Sequence, residues 1–219
     1  MRKWLGFLSG ITGLGLLIYV FVPILLYELN SSGTAKYLSP IPEGEVWAAS
    51  SESVDFTKAK NWFPDFHPAD GNKPAIEYYS LSIPSLKIES ASVRIGGEDL
   101  NESLVQYPGT ALPGKKGNAV VFGHSILPQF FNPKDYLTIF STLPEIKKGD
   151  EIIINYDGIT YTYRVEDKFE VLPSDIQILE QNISDSYLSL VTCVPPGHPL
   201  RPKRLIVRAK IVPVNSKYL

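Results

Sequence analysis

The first apolar pattern on the chain has no period: residues 4–27, WLGFLSGITGLGLLIYVFVPILLY, run without a single charge. As a helix rising about 1.5 Å per residue, this stretch reaches about 36 Å, enough to cross a hydrocarbon core of about 30 Å. Arg2 and Lys3 precede it and Glu28 follows. The positive end is expected to stay in the cytoplasm, which sends the rest of the chain outside. The run is long for the core of a cleaved signal peptide, and no A-x-A site follows it. Residues 1–29 therefore read as an uncleaved signal anchor in the plasma membrane, crossing once, with Pro23 near the outer end.

Between 30 and 75 neither a period of 2 nor one of 3.6 is sustained. SSGTAKYLSPIPEGEVWAASSES is rich in Ser, Pro and Gly, whereas FTKAKNWFPDFHPAD carries Phe56, Trp62, Phe63 and Phe66. A spacer does not need those aromatics, so two readings stand: a stalk, or a linker partly docked on the domain. His67, between Phe66 and Pro68, is read as incidental.

From 76 to 213 the pattern is that of short strands. Tyr79, Leu81 and Ile83 alternate with polar residues until Pro84 interrupts. Leu86, Ile88, Val93 and Ile95 follow, and Ala119–Phe122 is a short buried strand ending at Gly123. EIIINYDGITYTYRVED holds two β-rich runs around Asp157-Gly158, a type I′ hairpin signal. Leu188–Cys193 and Arg204–Val212 complete the set. Helical signals are short: Tyr136–Leu143, and Asp175–Glu180 with Ser174 as N-cap. Seven or eight strands with little helix predict an all-β, closed or nearly closed barrel, leaving 214–219 as a tail.

Composition narrows the function. The chain has 219 residues, 21 Lys+Arg against 23 Asp+Glu, 44% apolar and 20% charged residues. It is neither a disordered tail nor a polytopic membrane protein, and it lacks the basic excess of a nucleic-acid binder. One cysteine, Cys193, excludes an intramolecular disulfide framework and a cysteine-rich zinc cage. Three histidines (His67, His124 and His198) leave little for a dedicated metal site.

A lone cysteine is by base rate a small buried hydrophobe. Here Val194-Pro195-Pro196-Gly197 stops its strand at once, which puts the thiol at a strand end. There it can act as a nucleophile if a positive charge favours the thiolate. His124, directly after Ala119–Phe122, belongs at a rim as well and has the chemistry of an acid/base. Arg204 and Arg208 alternate with Leu205, Val207 and Ala209. A guanidinium is no base at neutral pH, but it donates hydrogen bonds to an oxyanion. Each residue also has a bland reading, as a surface loop or a solvated strand face.

In ordered blocks the sequence resembles the sortases, the membrane-anchored cysteine transpeptidases of bacterial surfaces. Leu81–Ile88 is similar to the first-strand signature of that family. Tyr107-Pro108-Gly109-Thr110-Ala111-Leu112-Pro113-Gly114 and Gly117–Ser125 match the stretch leading to its histidine. Phe140–Leu143 through Lys148-Gly149-Asp150 fits the segment before the next strand. Leu190-Val191-Thr192-Cys193 corresponds to the nucleophile block and Arg204–Arg208 to the arginine block. The resemblance covers about 78–212 and implies an eight-stranded sortase barrel. It implies Cys193 as nucleophile on the Thr–Gly carbonyl of an LPxTG-like sorting signal, His124 as acid and base, and Arg204, ahead of Arg208, as the brace for the oxyanion. Thr192 and Ser125 would line the substrate site. The partners implied are surface proteins carrying a C-terminal sorting signal and an amine acceptor of the cell wall or a pilus, with no nucleic acid.

Several features depart from the better-known members. No hydrophobic C-terminal anchor follows Val212. The linker carries Pro64-Asp65-Phe66 and not an Asp-Pro-aromatic lid motif. No cofactor is expected; Glu98, Asp99 and Glu102 lie in a loop of the kind that binds calcium in some sortases, but no motif transfers. N-x-S/T triplets at Asn30, Asn101 and Asn182 carry no meaning in a bacterial setting. Other readings are an L,D-transpeptidase, whose SxGCxR run is absent here, and a catalytically inactive sortase-like scaffold or binding protein.

Overall fold

The computed structural model describes residues 2–31, 35–36, 55–63, 76–181 and 183–213. His67, the Pro64-Asp65-Phe66 run and the tail 214–219 lie outside the described residues. Helix α1 (Arg2–Ser31) includes the apolar run and extends it by a turn at its outer end. It is long and apolar enough over Leu8–Ser31 to cross a membrane.

Nine strands follow: β1 (Ala35–Lys36), β2 (Tyr78–Ile83), β3 (Ile88–Ile95), β4 (Leu104–Gln106), β5 (Gly117–Phe122), β6 (Glu151–Tyr156), β7 (Ile159–Val171), β8 (Ser186–Val194) and β9 (Lys203–Ile211). Eight of them run β7-β6-β2-β3-β4-β5-β8-β9, and β9 pairs back onto β7, closing the barrel. Closure leaves these strands no open edge. β1 adds a short parallel strand beside Phe169 and Glu170 of β7.

The alternation in β2 places Tyr79, Leu81 and Ile83 inside the barrel. β5, most of β8 and Arg204–Val207 of β9 are instead buried at consecutive positions, because these strands are covered on both faces. Ala119, Val121, Leu188, Leu190, Leu205 and Val207 fill the barrel. Their neighbours Val120, Phe122, Val191, Cys193 and Ile206 point outward into a second core. That core is capped by Ala59, Trp62 and Phe63 from the segment before the barrel and by Ile178 and Leu179 from the β7–β8 connection. The aromatics of the linker are thus spent on packing over residues 55–63.

Asp157 and Gly158 both have positive φ (53° and 73°), the geometry a two-residue I′ turn requires. Two expectations are corrected. Tyr136–Leu143 is a series of turns, with a 3₁₀ turn at Leu143–Glu145 and Pro144 in its second position. Asp175–Glu180 is a 3₁₀ turn over Ile176–Leu179. Ser174 does not cap it; Asp175 Oδ2 accepts the Leu172 N–H at 2.7 Å instead. Segments this short gain too few hydrogen bonds to offset helix nucleation. β4 was not foreseen, since three residues show no period.

Candidate active site

The site grows from the register of three adjacent strands. β5 and β8 are parallel, with Phe122 beside Val191. The pairing continues past the end of β5: Gly123 N–H donates to Val191 C=O at 3.1 Å, Thr192 Oγ1 to Gly123 C=O at 2.8 Å, and Ser125 Oγ to Cys193 C=O at 2.7 Å. This continuation carries His124 alongside Cys193. On the other side β9 runs antiparallel to β8 and places Arg204 directly opposite Cys193. Cys193 and Ile206 belong to the outer core, and Arg204, two residues from Ile206, emerges on the same face. Three residues separated by up to 80 positions in sequence are gathered on one side of one rim.

Trp62 ties two of them together. Its ring lies 5.8 Å from the His124 ring and 5.4 Å from the Arg204 guanidinium carbon, and its carbonyl accepts Arg204 Nη2 at 3.5 Å. Arg204 Nη1 donates to the carbonyls of Arg201 (2.9 Å) and Lys203 (3.2 Å). The Trp62 indole is itself held by a 2.8 Å hydrogen bond to Phe56 C=O. Lys58 and Lys60 pair with Asp99 and Glu98 at 3.5 and 3.4 Å. Two of the three carboxylates with calcium potential therefore serve the docking of residues 55–63.

Cys193 is 3% exposed, His124 5% and Arg204 1%. Beside the thiol lies a cavity of about 230 Å³, bordered by Ser125, Leu127, Phe130, Cys193, Pro195 and Arg201. It has room for a side chain or two. Burial pushes the Cys193 thiol above its ordinary range, opposed by the charges of Arg204 and Arg201. Burial, then the positive charge of Arg201, pulls His124 down to about 4, against weaker pulls from Asp55 and Asp99. At neutral pH the resting pair is a thiol and a neutral imidazole. His124 Nε2 has no hydrogen-bond partner among the described residues, so it is open to a proton.

Ser125 borders the cavity. Thr192 does not line it: adjacent residues of a strand face opposite ways, and its hydroxyl is fully buried against Gly123. Its contribution is to bind the His124 strand to the Cys193 strand. Arg208 lies opposite Ser189 and over the Phe169 ring, four residues along β9 from the position opposite the thiol. Two contributors were missed in the sequence. Arg201 acts electrostatically on both Cys193 and His124, and its one signal was a cation three residues before Arg204. Trp62 was noticed only as an aromatic that a stalk would not need.

Gly123 is required by close approach. A Cβ there would stand 2.4 Å from Phe140 Cδ2 and 2.6 Å from Leu104 Cδ2. Gly123→Ala is expected to destabilise the barrel by about 1–3 kcal/mol by overpacking, read as a lower melting temperature, and to displace His124.

The buried histidine also predicts a pH dependence of stability. Its folded pKa lies below the usual 6.5, so the unfolded chain binds the extra proton between 6.5 and about 4. Stability is therefore complete above that window and falls as pH drops through it, by at most about 3 kcal/mol. In melting curves across that range, His124→Gln should flatten this leg; an unchanged slope would assign it to other groups.

Fold and site together describe a closed β-barrel with a cysteine, a histidine and an arginine converging on one rim. The sequence matches the Sortase domain family over residues 81–212, more than half of the chain. The protein belongs to the sortase family, whose members are cysteine transpeptidases. It is 24% identical over 167 residues to sortase A of Streptococcus agalactiae, covering 74% of this chain and 64% of that one. It is 26% identical over 140 residues to sortase A of Bacillus anthracis, covering 63% and 60%. The matched region thus spans less than two thirds of either relative's length. Among solved structures, sortase C-1 of Actinomyces oris superposes with a TM-score of 0.55 at 25% identity, covering 71% of this chain and 94% of that one.

Proposed function

We propose that the protein is a cell-surface cysteine transpeptidase that cleaves an LPxTG-like sorting signal and joins the acyl half to an amine. The carrying observation is the register that sets Arg204 opposite Cys193 and His124 beside it.

Since both Cys193 and His124 rest neutral, the reactive pair forms when the thiol proton passes to His124. The thiolate attacks the carbonyl carbon of the scissile Thr–Gly bond. Arg204 donates to the oxyanion as charge develops there. The tetrahedral adduct collapses, the C–N bond breaks, and the imidazolium protonates the departing amine. A thioacyl-enzyme remains. An incoming amine, from a cell-wall precursor or a pilin lysine, loses its proton to His124 and attacks the thioester, and Cys193 leaves as the thiolate. Trp62 now covers His124 and Arg204, so a peptide reaching all three residues requires residues 55–63 to shift. With α1 as the anchor and its N-terminus in the cytoplasm, the reaction takes place outside the cell.

The test is to incubate the protein with a library of LPxTG-related peptides and an amine, then identify adducts by mass spectrometry. A thioacyl adduct on Cys193 that passes to the amine is the expected result. Cleavage without any transfer, or peptides left intact with Cys193 unmodified, would reject the reading.

A further inference from the structure

α1 is held against the barrel at two levels. At its outer end the Tyr27 hydroxyl donates to Glu170 at 2.8 Å, and Glu28 lies 3.7 Å from Lys203. Eight residues deeper, Gln129 Nε2 donates to the Tyr19 carbonyl at 3.1 Å, and the Phe130 ring meets the Tyr19 ring edge-on at 6.1 Å.

The deeper contact has a specific cause. A helical carbonyl accepts from the N–H four residues on, and for Tyr19 that residue is Pro23, which has no N–H. In hydrocarbon an unpartnered carbonyl is costly, and the carboxamide of Gln129 supplies the missing donor. At about 1.5 Å per residue, Tyr19 lies about 12 Å inward of Tyr27 and about 22 Å from Trp4. A hydrocarbon core of about 30 Å counted from Trp4 ends about 8 Å beyond Tyr19. The loop that touches Tyr19 therefore reaches below the headgroups.

Its sequence suits that depth. Ser125-Ile126-Leu127-Pro128-Gln129-Phe130-Phe131-Asn132-Pro133 has no charge. Phe130 is 52% exposed at its tip. Leu127 and Phe130 also border the cavity beside Cys193.

We propose that residues 125–133 form a membrane lip, dipping into the acyl chains of the outer leaflet beside α1, so that the cavity at Cys193 opens at the lipid surface. This rests on the reading of α1 as the membrane span, and the test separates the two. Full-length Cys193→Ala protein carrying one introduced cysteine is labelled with an environment-sensitive fluorophore and reconstituted into phospholipid vesicles. Labels are placed at Phe130, at Gln129 as a second lip position, at Ile18 in α1, and at Ile159 on the far hairpin. That hairpin is about 40 Å along β7 from the active-site rim. Nitroxides on the lipid acyl chains, near the headgroup or near the chain end, report depth.

The lip labels are expected to lose emission as Ile18 does, most strongly to the shallow nitroxide, while Ile159 keeps its emission. If both lip labels behave like Ile159 while Ile18 is quenched, the lip is refuted and the anchor stands. If Ile18 is not quenched either, both fall.

Discussion

Cys193→Ala is expected to abolish acyl transfer while leaving the barrel folded. The chain holds no other thiol that could substitute, and loss of a covalent nucleophile lowers turnover by about 10⁴-fold or more. The structural cost is small by comparison. The sulfur sits in the outer core with Val191 and Ile206, is a free thiol with no disulfide to lose, and its removal leaves a space of one atom. That costs about 1 kcal/mol, a shift of a few degrees in melting temperature for a domain of this size. Turnover and thermal melting of the same preparation therefore separate the two roles. Normal turnover by the alanine variant would remove Cys193 as the nucleophile and with it the proposed mechanism.

The second large effect is expected at Arg204. Arg204→Ala should lower turnover at least about tenfold, or about 1.4 kcal/mol of transition-state stabilisation. Arg208→Ala should stay near the parent, because four residues along a strand put it about 13 Å from the position opposite Cys193. Arg204→Lys is expected to fail as well. One guanidinium reaches the carbonyls of Arg201, Lys203 and Trp62 with two nitrogens, and an ammonium on a flexible stem does not hold that fork. A second readout distinguishes catalysis from simple support. Arg204 is the largest of the influences favouring the Cys193 thiolate, so its loss should slow alkylation of the thiol near neutral pH. A crippling Arg208→Ala with an active Arg204→Ala would reverse the assignment of the arginine.

The buried resting pair explains why turnover need not follow thiol exposure. Among the described residues no buried carboxylate supports a thiolate and an imidazolium formed here, and burial disfavours both charges. Neutral partners are the resting state, and in the proposed mechanism the charged pair forms as substrate arrives. The cations Arg204 and Arg201 make the thiolate half less costly, while Arg201 makes the imidazolium half more so. The balance between them is set by a loop residue outside the strands.

Much of this protein was legible along the chain. The uncharged run at the start, the Asp157-Gly158 turn and the alternating residues of β2 are local signals, because side-chain period and turn geometry are properties of a few consecutive residues. Cys193, His124 and Arg204 were legible as residues placed at strand ends. Their convergence was not: it depends on β5 lying parallel to β8 and β9 antiparallel to it, pairings made across large separations in sequence. Thr192 was misread for the same reason, since which face of β8 is the reactive one follows from what covers it. Trp62 and Arg201 acquired their roles only when the segment 55–63 and the loop after β8 folded over the outer core. Local order came from the chain itself; the meeting of distant side chains, and the loss of water that sets their charges, came from packing alone.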